Sequence, residues 1–217
     1  MADQLKAKDR EVRAAYDAVA AEYAACFATG EILDAELPYV STLRDIGGDG
    51  AARLLDLGCG PAVYLPIAQQ LGLRYVGTDF SPGMLRVARR THPVANLLLA
   101  DSRYLPIAPD SFDLTVAMGS LSHMDSDEFA TAVRGIARVL RPGGALLLGD
   151  QLGRGSFKAP YPLIGSGSIW VFLRSWDRYL NEISRAGFSI VRVDSRPPMD
   201  GEYQTEKIIL WAKLEAH

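Results

Sequence analysis

Residues 54–62 read Leu-Leu-Asp-Leu-Gly-Cys-Gly-Pro-Ala, and no other stretch limits the fold as tightly. The apolar run has the character of a buried parallel strand, closed by an acid and two glycines one residue apart. Residues 63–71 follow with helical spacing, placing Tyr64, Ile67, Ala68 and Leu71 on one face. Strand, glycine turn and helix make the first half of a nucleotide-binding βαβ unit. Glycine is needed in the turn because a side chain would hold the backbone away from a cofactor. The helix that follows offers free N–H groups and a positive dipole end. A second apolar strand, 74–78, ends at Asp79, about twenty residues after the first glycine, where a carboxylate can take both hydroxyls of a ribose.

The rest of the chain keeps the alternation. Residues 9–27 carry Val12, Tyr16, Val19, Tyr23 and Phe27 at steps of three and four, an amphipathic helix. A second short helix is expected to start near Pro38 and to bury Val40, Leu43 and Ile46. The glycine-rich run 47–50 then separates these pieces from the first strand. Ser81-Pro82 caps and opens one helix, and Asp125 to Glu128 resembles the capped start of another. Further strands are expected at 96–100, 112–118 and 145–148. A helix begins at Ser175 and stops at Gly187, a natural C′ residue, and strands at 188–193 and 206–212 close the chain. This order predicts an α/β, doubly wound sheet over residues 51–217, behind a helical cap formed by 1–50, with ligands at the strand C-termini. Residues 151–174 lack clear periodicity and hold Tyr161, Trp170 and Arg174 among other aromatic and basic side chains. They follow the fifth strand at the ligand-binding edge, so they are expected to cover the substrate or, through the apolar run 169–173, to form a dimer contact.

Composition narrows the function. The 217 residues suffice for one α/β domain with a sizeable core. A formal charge of −3 is far from the one-sided basic surface of a nucleic-acid binder. Cys26 and Cys59 have neither metal-ligand spacing nor the pattern of a disulfide framework, so no metal site is expected. The polar N-terminal stretch lacks the apolar core of a signal peptide. The nearest approach to a membrane span, 159–173, is too short and is broken by Pro162, Gly165 and Gly167. The expectation is a cytoplasmic monomer or homodimer that binds neither nucleic acid nor membrane.

The ordered series Leu-Asp-Leu-Gly-Cys-Gly, Val-Gly-Thr-Asp-Phe-Ser, Ala-Asp-Ser and Leu-Arg-Pro-Gly-Gly resembles the class I S-adenosylmethionine-dependent methyltransferases. The similarity is closest to the branch containing the ubiquinone and menaquinone C-methyltransferases, through residues 105–113, Leu-Pro-Ile-Ala-Pro-Asp-Ser-Phe-Asp, and through Leu121-Ser122-His123-Met124. It covers roughly residues 16–214. It implies a mostly parallel, seven-stranded, Rossmann-like sheet with an antiparallel last strand, S-adenosylmethionine as cofactor, and transfer of its methyl group to an O, N or C nucleophile of a small molecule. One departure is Ala62, where the family usually has a third glycine; its methyl is expected near the methionine moiety.

Carried onto this chain, the resemblance implies that Asp56, Gly58 and Gly60, with Cys59 between the glycines, shape the turn around the methionine part. Asp79 would hold the ribose, Phe80 and Met84 would flank the adenine, and Asp101, beside Ser102, would accept from its amino group. The backbone at Met118 and Gly119 would accept from the methionine amino group. Tyr16 and Tyr23, seven apart on one helical face, either close over the cofactor or pack their helix onto the domain. His123 is the candidate general base, because an unperturbed imidazole titrates at about 6.5; the alternative role is to order its loop. Tyr161, Trp170 and Arg174 are the candidate substrate contacts. Two rival functions are an NAD(P)-dependent oxidoreductase and a non-catalytic S-adenosylmethionine-binding regulator. The first is weakened by Val63, which stands where the dinucleotide fingerprint wants its third glycine.

Overall fold

In the computed structural model, which describes residues 7–28, 31–42, 52–162 and 168–216, strands pair in the order β3-β2-β1-β4-β5-β9-β8. They are β1 (Arg53–Leu57), β2 (Arg74–Asp79), β3 (Leu97–Leu99), β4 (Phe112–Met118), β5 (Leu140–Gln151), β8 (Phe188–Arg196) and β9 (Lys207–Leu214). The five strands from β3 to β5 are parallel, and β9 runs antiparallel between β5 and β8. The order reverses between β1 and β4, and ligands of open parallel sheets bind at such a switch point. The seven strands and the antiparallel last one are as the resemblance implied.

Helices cover both faces, because strands buried on two sides need two apolar layers. On one face α5 (Ser126–Val139) and α6 (Trp176–Arg185) bury Phe129, Val133, Ile136, Tyr179 and Ile183 against β4, β5 and β9. Each such side chain contributes roughly 1.5–3 kcal/mol of transfer free energy. On the other face α3 (Leu65–Gln70) and α4 (Pro82–Thr91) bury Leu65, Ala68, Leu85 and Ala88 with Leu54 and Trp211. The caps read from sequence are in place. Asp125 Oδ1 accepts from the N–H groups of Asp127 and Glu128, Glu128 answers the Asp125 N–H, and the Ser81 hydroxyl accepts from Met84 N.

Three expectations change. The helix after β1 is only six residues long, since a chain of turns occupies 60–64 before it. The second helix, α2 (Glu31–Ser41), does not start at Pro38 but contains it. Burial of Val40, and of Tyr39 against the Trp211 ring, holds these last turns on the sheet, and Trp211 Nε1 donates to the Thr42 hydroxyl at 2.7 Å. The stretch 151–174 is not a structureless cover. It contains a hairpin of β6 (Gly155–Ala159) and β7 (Ile169–Leu173), whose Ile169 and Val171 pack on Val12. The glycine-rich run 47–50, Leu43 and Ile46 lie outside the described residues.

The first helix, α1 (Ala7–Ala28), lies over the C-terminal ends of the strands and is pinned by charge. Arg103 gathers Asp9 of α1, Asp101 and Glu128 at 2.9, 2.5 and 2.8 Å, and Lys8 reaches Glu128 as well. Removing one partner of such a buried set costs about 3–5 kcal/mol, since the rest is left uncompensated. Farther along, Asp17 accepts from Ser81 Oγ and Gly83 N, both at 2.6 Å. Gly83 permits this approach, because a Cβ there would lie 2.7 Å from Asp17 Cα. Among the described residues no helix is long and apolar enough to cross a membrane.

Candidate active site

The turn after β1 is stitched to the end of β2. Gly58 N and Cys59 N donate to the Thr78 carbonyl at 2.7 and 2.9 Å, and Asp79 accepts from Gly60 N at 2.9 Å and Ser81 N at 2.8 Å. Gly58 and Gly60 have φ of +73° and +53°, in the left-handed region that favours glycine. A Cβ on Gly58 would lie 2.3 Å from Ser120 Cβ, so this glycine lets the loop after β4 close on the turn. Ala62 also has positive φ, +63°, which accounts for the glycine usual at that position. Its methyl group is fully buried in the core beside Leu65 and Ala68, not in the cavity wall.

One cavity opens at this switch point, walled by Tyr16, Tyr23, Gly58, Cys59, Gly60, Asp79, Phe80, Met84, Asp101, Ser102, Met118, Gly119, His123 and Tyr161. Asp56 sits beneath the wall, accepting from the Tyr75 hydroxyl at 2.6 Å. Burial pushes the Asp56 carboxyl up to about 7 and that of Asp79 to about 6, the latter opposed by the N–H groups of Ser81 and Gly60. Burial also raises the Cys59 thiol, which suits packing rather than reactivity.

Several candidates have partners that bear on their roles. Both Asp101 oxygens accept from the Arg103 guanidinium, at 2.5–3.1 Å, so an adenine amino group would share an already engaged carboxylate. Trp170 and Arg174 are not among the residues lining the cavity. Arg174 is buried beside Asp150 at 3.4 Å, lies over the Phe129 ring, and donates to the Met124 carbonyl. The Trp170 ring packs on Phe172, while its carbonyl serves His123.

His123 has both ring nitrogens in use. A carbonyl can only accept, so Nδ1–H donates to Trp170 O at 2.6 Å, and Nε2 of the neutral ring then receives the Tyr16 hydroxyl at 2.7 Å. Burial lowers the imidazole to about 4 against the opposing Trp170 carbonyl, helped by the Lys8 and Arg174 cations. A neutral histidine thus joins α1, the loop after β4 and β7. Lys8 Nζ to His123 O and Phe172 N to Ser122 O, at 3.0 and 2.7 Å, join the same three pieces.

Beyond the glycine turn the cavity wall includes groups that sequence reasoning missed, among them Glu36, Tyr64, Arg196, Tyr203 and Lys207. One signal was available, since Lys207 immediately precedes the apolar run Ile208–Ala212. Glu36, Arg196 and Tyr203 lie in segments with no motif.

The residues fit an adenosyl cofactor on grounds independent of resemblance. Asp79, buried and lining the cavity, is held by backbone donors at the second strand end. A Cβ on Gly119 would meet open space, and the Ser120 hydroxyl beside the glycine turn is buried without a partner.

A family profile described as a methyltransferase domain matches residues 55–148. A methyltransferase of Streptomyces halstedii, GfsG, is 34% identical over 155 residues, covering 65% of this chain and 54% of that one. The demethylmenaquinone methyltransferase of Corynebacterium kroppenstedtii is 29% identical over 215 residues, covering 97% of this chain and 83% of that one. The chain therefore spans about half the length of the first relative and most of the second. Among solved structures, the 1,6-didemethyltoxoflavin-N1-methyltransferase of Burkholderia thailandensis, with bound 1,6-didemethyltoxoflavin and S-adenosylhomocysteine, superposes with a TM-score of 0.72. It is 17% identical, covering 98% of this chain and 92% of that one. An S-adenosylmethionine-dependent methyltransferase of Methanosarcina mazei also gives 0.72, at 18% identity, covering 83% of this chain and 98% of that one. At these identities the structures speak for the fold.

Proposed function

We propose that this chain is a class I S-adenosylmethionine-dependent methyltransferase of the quinone-methyltransferase type, with S-adenosylmethionine as its cofactor, and that it methylates an O, N or C nucleophile of a small molecule held in the same cavity. The observation that carries the reading is Asp79, a buried carboxylate fixed at the tip of β2 by Gly60 N and Ser81 N and bordering the cavity.

When bound, the cofactor supplies a methyl group activated by a sulfonium charge. The chain's residues bind, orient and exclude water. Asp79 takes the ribose hydroxyls, Phe80 and Met84 flank the adenine, and the Gly58–Gly60 turn with the backbone at Met118 and Gly119 holds the methionine part. Asp101, saturated by Arg103, shapes the adenine end with Ser102 and holds α1 through Arg103. Orientation of this kind is worth on the order of 7–11 kcal/mol in a displacement reaction. The helices α1 and α2 act as the lid, with Tyr16 and Tyr23 as the side chains that close it, and Tyr161 meets the acceptor. His123 serves first to position Tyr16 and the roof. A proton leaving the acceptor would reach its Nε2 only through the Tyr16 hydroxyl.

Calorimetric titration with S-adenosylmethionine, S-adenosylhomocysteine and NAD tests the assignment. Micromolar binding of the first two and none of NAD is expected, with Asp79→Ala weakening both by about tenfold or more, because a buried ribose hydroxyl left unpaired costs at least that much. Binding of NAD alone, or unchanged affinity in the variant, would overturn it.

A further inference from the structure

Just past β3 the chain departs from what its resemblance implies. Asp101 is the acid expected to accept from the adenine amino group, and it borders the cavity, but both of its oxygens are already taken. Oδ1 accepts from the Arg103 main-chain N–H and from Arg103 Nε, both at 2.9 Å. Oδ2 accepts from Nη2 at 2.5 Å and shares Nε at 3.1 Å. These contacts fill the roughly four lone-pair directions that a carboxylate offers. The bond from the Arg103 N–H closes a turn in which an Asp side chain holds the backbone two residues on, so the local chain itself orients the carboxylate.

The same guanidinium faces α1. Nη2 also reaches Asp9 Oδ2 at 2.9 Å, and Nη1 reaches Glu128 Oε1 at 2.8 Å, while Lys8, next to Asp9 on α1, donates to Glu128. Arg103 thus touches three acids, one at the adenine end, one on the lid and one at the start of α5. Its side chain is 9% exposed and that of Asp101 16%, so solvent screens the pair little. An amino group offered to a free buried carboxylate gains a charge-assisted hydrogen bond. Offered to a carboxylate whose charge and lone pairs are spent on a guanidinium, it gains little.

We propose that Arg103 is a positioning residue that diverts Asp101 from the cofactor base to the lid, so that the cavity takes the purine by shape and not by its amino group. Seating the base then falls to Phe80 and Met84, and cofactor analogues altered at position 6 of the purine are ligands of this chain. The proposal rests on the methyltransferase reading, which supplies the adenosyl ligand.

The test is calorimetry on the whole protein with S-adenosylhomocysteine and its purine analogue, which has hydrogen in place of the 6-amino group and keeps every ring nitrogen. The wild-type protein is expected to bind the two within about fivefold of each other. A site that reads the amino group through an unpaired carboxylate would prefer adenine by about tenfold or more. Replacing Asp9 and Arg103 together, Asp9→Asn with Arg103→Met, removes one charge of each sign and frees Asp101. The preference for the amino group should then rise to about tenfold or more, which general loosening of the fold does not produce. Asp9→Asn alone keeps Asp101 paired and should leave the preference unchanged, while hydrogen exchange of the α1 amides quickens by about threefold or more. A wild-type preference above fivefold, a double variant that gains none, or unchanged α1 exchange in Asp9→Asn would each overturn the proposal. The first of these is read on the wild type, whether or not the double variant folds. Tight binding of S-adenosylhomocysteine with a strong preference for the amino group would leave the methyltransferase reading standing without this one. Binding of neither compound would remove both.

Discussion

Asp56 shows how one buried carboxylate couples the site to pH. It receives the Tyr75 hydroxyl under the glycine turn, and burial raises it from 3.8 to about 7. A folded-state value above the unfolded one means that the native protein binds the extra proton between about pH 4 and 7. The contribution of this group is therefore complete at low pH and is lost as pH rises through 7. Asp56→Asn should gain in melting temperature relative to wild type as pH rises from 5 to 8, with the difference levelling off above about 7.5. A difference that does not vary with pH would show that Asp56 ionises freely. His123 acts in the opposite direction, since its depressed value destabilises the native state as pH falls from 6.5 toward 4, but both proteins share it. Asp79, Gly58 and Gly60 were legible in the sequence because their spacing is dictated by one local turn of backbone. Glu36, Arg196 and Tyr203 were not, because only the packing of α2 and of the β8–β9 connection brings them to the same space. Arg174 misled for the converse reason. A basic residue beside aromatics suggests a binding surface, yet here it faces Asp150 and Phe129 inside the core.

At the level of elements, the turn after β1 and the loop after β4 depend on each other, and two glycines separate the causes. Gly58 and Gly119 have nearly the same φ, +73° and +70°, but a Cβ on the first meets Ser120 at 2.3 Å and on the second meets nothing within 4 Å. Gly119→Ala should lose only the conformational cost, about 1–2 kcal/mol in chemical denaturation. Gly58→Ala should lose more, because the two loops must separate. Equal losses would show that the contact with Ser120 yields without cost. The elements themselves were readable wherever period and cap agreed, as in α5 with its Asp125–Glu128 box. The hairpin β6–β7 was not. Its strands alternate only weakly, and their register is set by α1 and by Ser122, elements distant in sequence.

Across the whole molecule, stability is unevenly distributed, and the site lies between the two regimes. The centre of the sheet is buried on both faces, whereas α1 and the hairpin are held by the Arg103 cluster, by Tyr16, His123 and Trp170, and by the small apolar cluster of Val12, Ile169 and Val171. In hydrogen exchange, amides of β4, β5 and β9 should be slowest with or without ligand, and S-adenosylhomocysteine should slow those of α1 and β7. Ligand protection confined to the strands, with α1 unchanged, would separate the lid from the cofactor site. The place of β9 also bears on how the chain is made. As the polypeptide emerges, β1 to β5 can pair in turn, but β8 finds no neighbour until β9 has been synthesised and threaded between it and β5. The second half of the cavity, with Arg196 before β9 and Lys207 on it, therefore appears only with that insertion. A nascent chain that halts before residue 207 can complete its nucleotide-binding turn yet has no far wall to its pocket.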